Sequence, residues 1–201
     1  MKIGLDFDNT IVCYDGVFHK VAVEQGVIPA DTSVDKVSVR NALRAKGQEG
    51  VWTEMQGYVY GARMDDATFF PSVIDTLVAA RDEGHSLFIV SHKTRHPFMG
   101  PKYDLHEAAR NWIFSHLVFD GQPLVEGGSI NFREKKSDKL DRSGHIGCDI
   151  FLDDLPEILE APNFPVKTKS VLFDPRGHHL SFVDGPRVSS WIEFRKILSL
   201  V

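Results

Sequence analysis

The chain alternates between short apolar runs and longer stretches in which apolar residues recur every three or four positions. Residues 2–7 form a compact apolar run that breaks off at Asp8-Asn9-Thr10, which predicts a buried strand opening onto polar chemistry. Residues 16–70 mix helical spacings, such as Val17-Phe18-Val21-Ala22 and Val39-Ala42-Leu43, with breaks near Pro29 and at 47–50, and read as a small helical insert. From Pro71 the pattern becomes regular: Val73-Ile74-Leu77-Val78 predict a helix stopped by Gly84, and 86–90 a strand ending at Ser91. A helix over 104–116 leads to a strand at 129–132. Ser137 then caps a short helix ended by Gly144, before a strand at 149–152 that finishes in Asp153-Asp154. A last strand at 170–173 and an amphipathic helix over 188–200, carrying Trp191, Ile192, Phe194, Ile197 and Leu198, complete the series.

Strands alternating with helices predict an α/β fold, a Rossmann-like three-layer sandwich with a central parallel sheet and right-handed crossovers. The core is expected over 1–14 and 71–201, with the helical insert over 15–70 following the first strand. Ligands of such sheets bind beyond the carboxyl ends of the strands, near the point where strand order reverses. Three of the predicted strands end there in polar residues.

Composition narrows the class. With 201 residues, 42% hydrophobic and 25% charged, the chain fits one globular domain with an inserted lobe and excludes disorder, collagen and coiled coil. Against 23 basic residues stand 28 acidic ones, and the formal net charge of -5 argues against nucleic-acid polymers and anionic membranes as partners. An anionic ligand has to be held locally. No run reaches membrane-spanning length, and Asp6 and Asp8 interrupt the apolar start too early for a signal peptide. Cys13 and Cys148 lie far apart without metal-type spacing, so they read as small buried residues of a cytoplasmic protein.

Asp6 and Asp8 are two apart, so on an extended backbone their side chains leave the same face. Taken alone, such a pair equally well ends a strand and begins a turn. Asp153-Asp154 carries the same ambiguity, since acidic residues also cap helices and Pro156 follows. Brought together, four carboxylates repel one another, by about 4 kcal/mol per pair at 4 Å and an effective dielectric of 20. A cation with oxygen ligands would offset this, and Mg²⁺ suits one or two carboxylates plus a substrate phosphate. The alternative spreads the acids along a solvated rim where no ion is needed. Ser91 lies within Phe88-Ile89-Val90-Ser91-His92-Lys93, where its hydroxyl could bond a phosphoryl oxygen or simply occupy a turn. Lys136 and Lys139 open the helix before the Asp153 strand, and lysines there can equally coat the surface.

The order of these features resembles the haloacid dehalogenase-like superfamily of phosphohydrolases: Asp-x-Asp-x-Thr on the first strand, a later Ser at a strand end, then Lys, then Asp-Asp. The resemblance covers roughly 1–14 and 71–175 and implies a Mg²⁺-dependent phosphatase acting on a small phosphorylated metabolite. By it, Asp6 is the nucleophile that forms an aspartyl-phosphate, and Asp8 is the general acid and base. Ser91 and Lys139 hold the transferring phosphoryl group; Lys139 is preferred to Lys136 for its fourteen-residue separation from Asp153. The metal falls to Asp6, the Asp8 backbone carbonyl, Asp153 and, through water, Asp154. Thr10 supports the turn and is expected to face the substrate; from their place after Ser91, His92 and Lys93 either face it too, drawing a second anionic group, or belong to an ordinary solvated loop. An Asp in the second position looks like the phosphatase and phosphotransferase branch rather than the dehalogenases. Asn9 stands where glycine is usual, and Asn tolerates the left-handed conformation.

The insert matches the position of the family's helical cap and is the expected source of specificity. Its Trp52, Tyr58 and Tyr60 either stack on a substrate or pack the cap's own core. His92 and His96 sit in a loop beside Pro97 with no nearby Cys, which argues against zinc; His178-His179 receives no role. The rivals are a phosphotransferase or nucleotidase-like member of the same superfamily and a non-catalytic phospho-accepting or phospholigand-binding domain.

Overall fold

In the computed structural model, which describes residues 1–200, six strands form one sheet: β1 (Lys2–Leu5), β2 (Ser86–His92), β3 (Ile130–Arg133), β4 (Ile150–Asp153), β5 (Lys169–Phe173) and β6 (Arg187–Val188). Their order is β6-β5-β4-β1-β2-β3, with every neighbouring pair parallel. The chain thus builds outward from β1 through β2 to β3, then returns to the other side of β1 with β4. That reversal places a crevice beyond the carboxyl ends of β1 and β4. Leu5 is in register with both Ile89 and Leu152, so the residues that follow β1 emerge between its neighbours.

The helices are α1 (Asp15–Glu24), α2 (Lys36–Ala45), α3 (Glu49–Tyr60), α4 (Val73–Asp82), α5 (Leu105–His116), α6 (Lys136–Ile146), α7 (Pro156–Leu159) and α8 (Trp191–Ile197). The chain divides into two compact units, one of residues 1–11, 69–93 and 113–201, the other of 12–68 and 94–112. In the first, alternate strand residues serve opposite faces of the sheet. Val90, Phe151 and Leu172 pack with Ile146 and Leu159 of α6 and α7 on one face. Phe173, next along β5, meets Trp191 of α8 with ring centroids 6.4 Å apart, and Thr76 Oγ1 of α4 donates to the Trp191 carbonyl. This is the predicted Rossmann-like α/β sandwich. Gly4 is a glycine for a packing reason: a Cβ there would lie 2.4 Å from the ring of Phe151 in the adjoining strand.

In the second unit, α1, α2 and α3 share an aromatic core in which Phe18 lies 4.8 Å from Trp52 and Tyr14 4.9 Å from Tyr60. Trp52 is buried there, so of its two sequence readings it takes the packing role. Segment 94–104 lies against α3, where a Cβ on Gly57 would come 2.6 Å from Pro97 and one on Gly61 would come 2.5 Å from Tyr103. The sequence reading places 94–112 with the core, whereas contacts group it with the helical insert.

Several boundaries differ from the sequence expectations. The helix expected over 188–200 begins at Trp191, because Ser190 is extended and its hydroxyl accepts from Glu193 N, and the preceding Arg187–Val188 pairs with β5 as an edge strand. Ser137 does not cap α6: the helix opens after extended Lys135 without a side-chain cap and runs through Gly144 to Gly147, whose φ of +70° supplies the left-handed stop. An antiparallel ribbon of Val118–Phe119 with Gln122–Pro123, turned by Asp120 and Gly121 at positive φ, was not anticipated. Among the described residues no helix is long and apolar enough to cross a membrane.

Candidate active site

The residues singled out in the sequence converge at the carboxyl end of the sheet, within the first unit. Asp6 follows β1 directly, and its N–H donates to the Leu152 carbonyl (2.9 Å), which extends the β1–β4 ladder by one step and fixes the side chain over the crevice. Asp153 ends β4 and is wholly buried; one of its oxygens, Oδ1, accepts from Leu155 N (3.0 Å). Asp154, half-buried, completes a cluster in which one carboxylate oxygen each of Asp6, Asp153 and Asp154 lies within 4.8 Å of the others.

Lys139, from the first turn of α6, enters this cluster. Its Nζ donates to Asp6 Oδ1 at 2.6 Å and to Asp153 Oδ2 at 2.5 Å, and the residue is 1% exposed. Burial alone would push its pKa down, but the carboxylates of Asp153 and Asp6 outweigh that and hold it above the ordinary lysine range. Asp153 moves the other way from a normal carboxylate. Burial and the nearby Asp6 charge push it up to about 7, against the pull of Lys139. Lys136, the other lysine weighed in the sequence, turns to Glu157 Oε1 at 2.8 Å on the surface and does not join the cluster.

Ser91, at the end of β2, and Thr10, in the loop after β1, are 1% and 0% exposed, and neither hydroxyl has a hydrogen-bond partner among the described residues. Buried polar groups are almost always paired, so each of these hydroxyls can take a further oxygen partner, from a ligand or from water. The loop that carries Thr10 is shaped by Asn9 at φ +60°, the left-handed conformation expected from its side chain, and is tied down where Trp191 Nε1 donates to the Thr10 carbonyl (3.0 Å).

Two residues expected to face the substrate have polar partners within the protein. Lys93 is 4% exposed, and its Nζ donates to both oxygens of Asp8, at 2.9 and 2.8 Å, rather than presenting a cation to solvent. His92 donates from Nε2 to the Glu134 carbonyl (3.1 Å); burial first, then the charges of Lys139 and Lys136, hold its imidazole below the ordinary range despite that bond. The Asp8–Lys93 pair is the feature that sequence reasoning missed. Alternation gave no signal for it: with Leu5 in register with Ile89, the pattern sends Ser91 and Lys93 to the face opposite Asp6 and Asp8, and the pair forms only past the ends of the two strands.

Charge accounting changes accordingly. Lys93 pairs with Asp8, while Lys139 bridges Asp6 and Asp153 beside the carboxylate of Asp154. Carboxylate oxygens of three aspartates gathered within 4.8 Å of one another form a donor set that a divalent cation can bridge. The donors are hard oxygens, as Mg²⁺ prefers, and the orphaned hydroxyls fit an anionic group beside it. The residues present therefore fit a Mg²⁺ and phosphate site.

No protein-family model matches the chain and no curated protein matches it. Solved structures do. A HAD family hydrolase from Deinococcus radiodurans R1, with bound phosphate and sodium, matches at a TM-score of 0.60 and 14% identity, over 98% of this chain and 94% of that one. A HAD-type hydrolase from Bacillus subtilis bound to magnesium matches at 0.58 and 12%, over 99% and 98%. A predicted phosphoglycolate phosphatase from Haemophilus somnus 129PT matches at 0.57 and 15%, over 98% and 97%. Dehalogenases share the fold as well. The likeness is one of fold, over nearly the whole length of each chain.

Proposed function

We propose that this chain, which carries the fold of haloacid dehalogenase-like hydrolases, is a Mg²⁺-dependent phosphatase that hydrolyses a small phosphorylated metabolite through an aspartyl-phosphate. The observation that carries the reading is the convergence of Asp6, Asp153 and Asp154 on one point with Lys139 bridging the first two. Gathering three carboxylates at one point costs repulsion, and a bound cation would offset it.

In this reading Asp8 is protonated at the start of each cycle; an oxygen of Asp6 attacks phosphorus, the bond from phosphorus to the leaving oxygen breaks, and Asp8 gives that oxygen its proton, leaving the carboxylate. Water then attacks the aspartyl-phosphate, Asp8 takes the water's proton, and the Asp6 carboxylate is released with inorganic phosphate. Lys139 and the Ser91 hydroxyl hold the non-bridging oxygens, donors placed where negative charge gathers in the transition state. Mg²⁺, held by Asp6, Asp153, Asp154 and the Asp8 carbonyl, would supply charge neutralisation when bound. Asp8 in the second position supports phosphoryl chemistry over dehalogenation, for which no proton need be delivered to an alcohol.

The unit of 12–68 and 94–112 interrupts the chain directly after the loop of Asp6 to Thr10, and we assign it to substrate selection as a cap. Cys13 and Cys148, neither of them in a disulfide, support a reducing cytoplasmic setting. Incubating the purified chain with an aryl phosphate and Mg²⁺ tests the proposal. Turnover should vanish with EDTA and fall by at least about 10³-fold in Asp6→Asn; turnover that survives either change would refute it. Added alcohol acceptors distinguish the transferase alternative, because only transfer yields a new phosphoester.

A further inference from the structure

The lysine that follows Ser91-His92 has no part in the reaction as written, yet it is among the most confined charged groups of the chain. Lys93 N donates to the Arg133 carbonyl (2.8 Å), which continues the β2–β3 ladder past the end of β2. Its Nζ lies 5.6 Å from the centroid of the Phe7 ring, and that ring is itself held edge-on by Phe132 at 5.7 Å. From this seat the ammonium reaches both oxygens of Asp8. The lysine side chain is 3% exposed, while that of Asp8 keeps 19%, so the pair is closed on the lysine side and open on the carboxylate side.

We propose that Lys93 is a positioning residue: it fixes the Asp8 carboxylate in the orientation from which a proton passes to and from the substrate oxygen. The inference rests on the phosphatase reading above and deepens it. An aspartate has two side-chain torsions, and a single hydrogen bond leaves the carboxylate free to turn. A two-point grip by a cation anchored through its own backbone and an aromatic face removes that freedom, and general acid–base catalysis depends on such alignment. Stability is a poor explanation for the pair, because replacing a buried ion pair with apolar residues of similar size is often neutral or stabilising. A lysine that instead bound the substrate phosphate would change substrate affinity, and this separates the two roles.

The experiment compares wild-type protein with Lys93→Met in first-turnover release of alcohol from two phosphates, one with a nitrophenol leaving group and one with a simple alkyl alcohol. Nitrophenolate departs without a proton, whereas the alkyl alcohol requires one. Loss of positioning predicts a fall of about 100-fold or more for the alkyl phosphate, less than about tenfold for the aryl phosphate, and little change in KM for either. In an Asp8→Asn background the Lys93→Met change should have no further effect, because the lysine acts through the aspartate. Equal losses on both phosphates, a change confined to KM, or an additive effect in the double variant would overturn the proposal. Should Lys93→Met fail to fold, as judged by near-ultraviolet circular dichroism, Lys93→Arg retains the charge and is expected to lose more on the alkyl than on the aryl phosphate; equal losses would again overturn it. A wild-type chain silent toward both phosphates would instead refute the phosphatase reading, and the positioning role with it.

Discussion

A buried hydroxyl without a partner lowers the stability of a folded protein by about 1–3 kcal/mol, and this chain carries two such groups at the mouth of its sheet, Ser91 Oγ and Thr10 Oγ1. If they wait for phosphoryl oxygens, stability and activity should respond to their removal in opposite directions. Ser91→Ala is expected to leave the melting temperature unchanged or raise it, while kcat/KM for a phosphomonoester falls by about 10²-fold. Thermal melts and steady-state kinetics on the same preparation check both; a destabilised variant with intact activity would make Ser91 an ordinary structural hydroxyl. The individual site residues were legible to different degrees. Asp6, Ser91, Lys139 and Asp153 could be singled out as candidates because each stands where an apolar strand ends or a helix begins, in an order that few folds share. Lys93 could not be placed, because alternation along β2 gives a side chain its face but not the direction in which four methylenes carry a charge.

At the level of elements, the buried strands were legible because each is an apolar run bounded by polar residues, as in 86–90 before Ser91 and 150–152 before Asp153. Arg187–Val188 was not, since two residues become a strand only through the neighbouring β5 ladder, and Val188 also fits the helical spacing of Trp191, Phe194 and Leu198. The end of α6 was misplaced by three residues because Gly144 and Gly147 both satisfy the stop signal, and tertiary packing decides between them. Beyond β5 the chain is held by Asp174, which is 5% exposed and accepts from the N–H groups of His178 and His179 and from Arg187. Burial acts to raise its pKa, but these donors prevail and hold it below the ordinary value of 3.8. A folded-state pKa that is lowered contributes stability above the unfolded value, and the contribution disappears as pH falls through the folded one. Asp174→Asn is therefore expected to cost about 2 kcal/mol in urea unfolding at pH 7, with the gap closing below about pH 4. A gap that persists undiminished into stronger acid would contradict this account of the loop.

Across the whole molecule, a net charge of -5 coexists with a site suited to an anion. In the proposed reaction an anion would be met by a few buried cations, Lys139 on Asp6 and Asp153 and Lys93 on Asp8, rather than by an attractive surface. Helices and strands alternate along the chain, which made the α/β sandwich legible. The grouping of 94–112 with the insert was not, because it depends on Gly57 of α3 and Gly61 just past its end making room for Pro97 and Tyr103 from far along the sequence. All of this serves one chemical claim, that Asp6 becomes phosphorylated. Acid quenching during turnover of a phosphomonoester with Mg²⁺, followed by mass spectrometry of the proteolysed chain, tests it directly. The account predicts a phosphoryl group on the peptide containing Asp6, absent when EDTA is added and absent in Asp6→Asn. A phosphoryl group on any other residue, or steady turnover by Asp6→Asn, would contradict it.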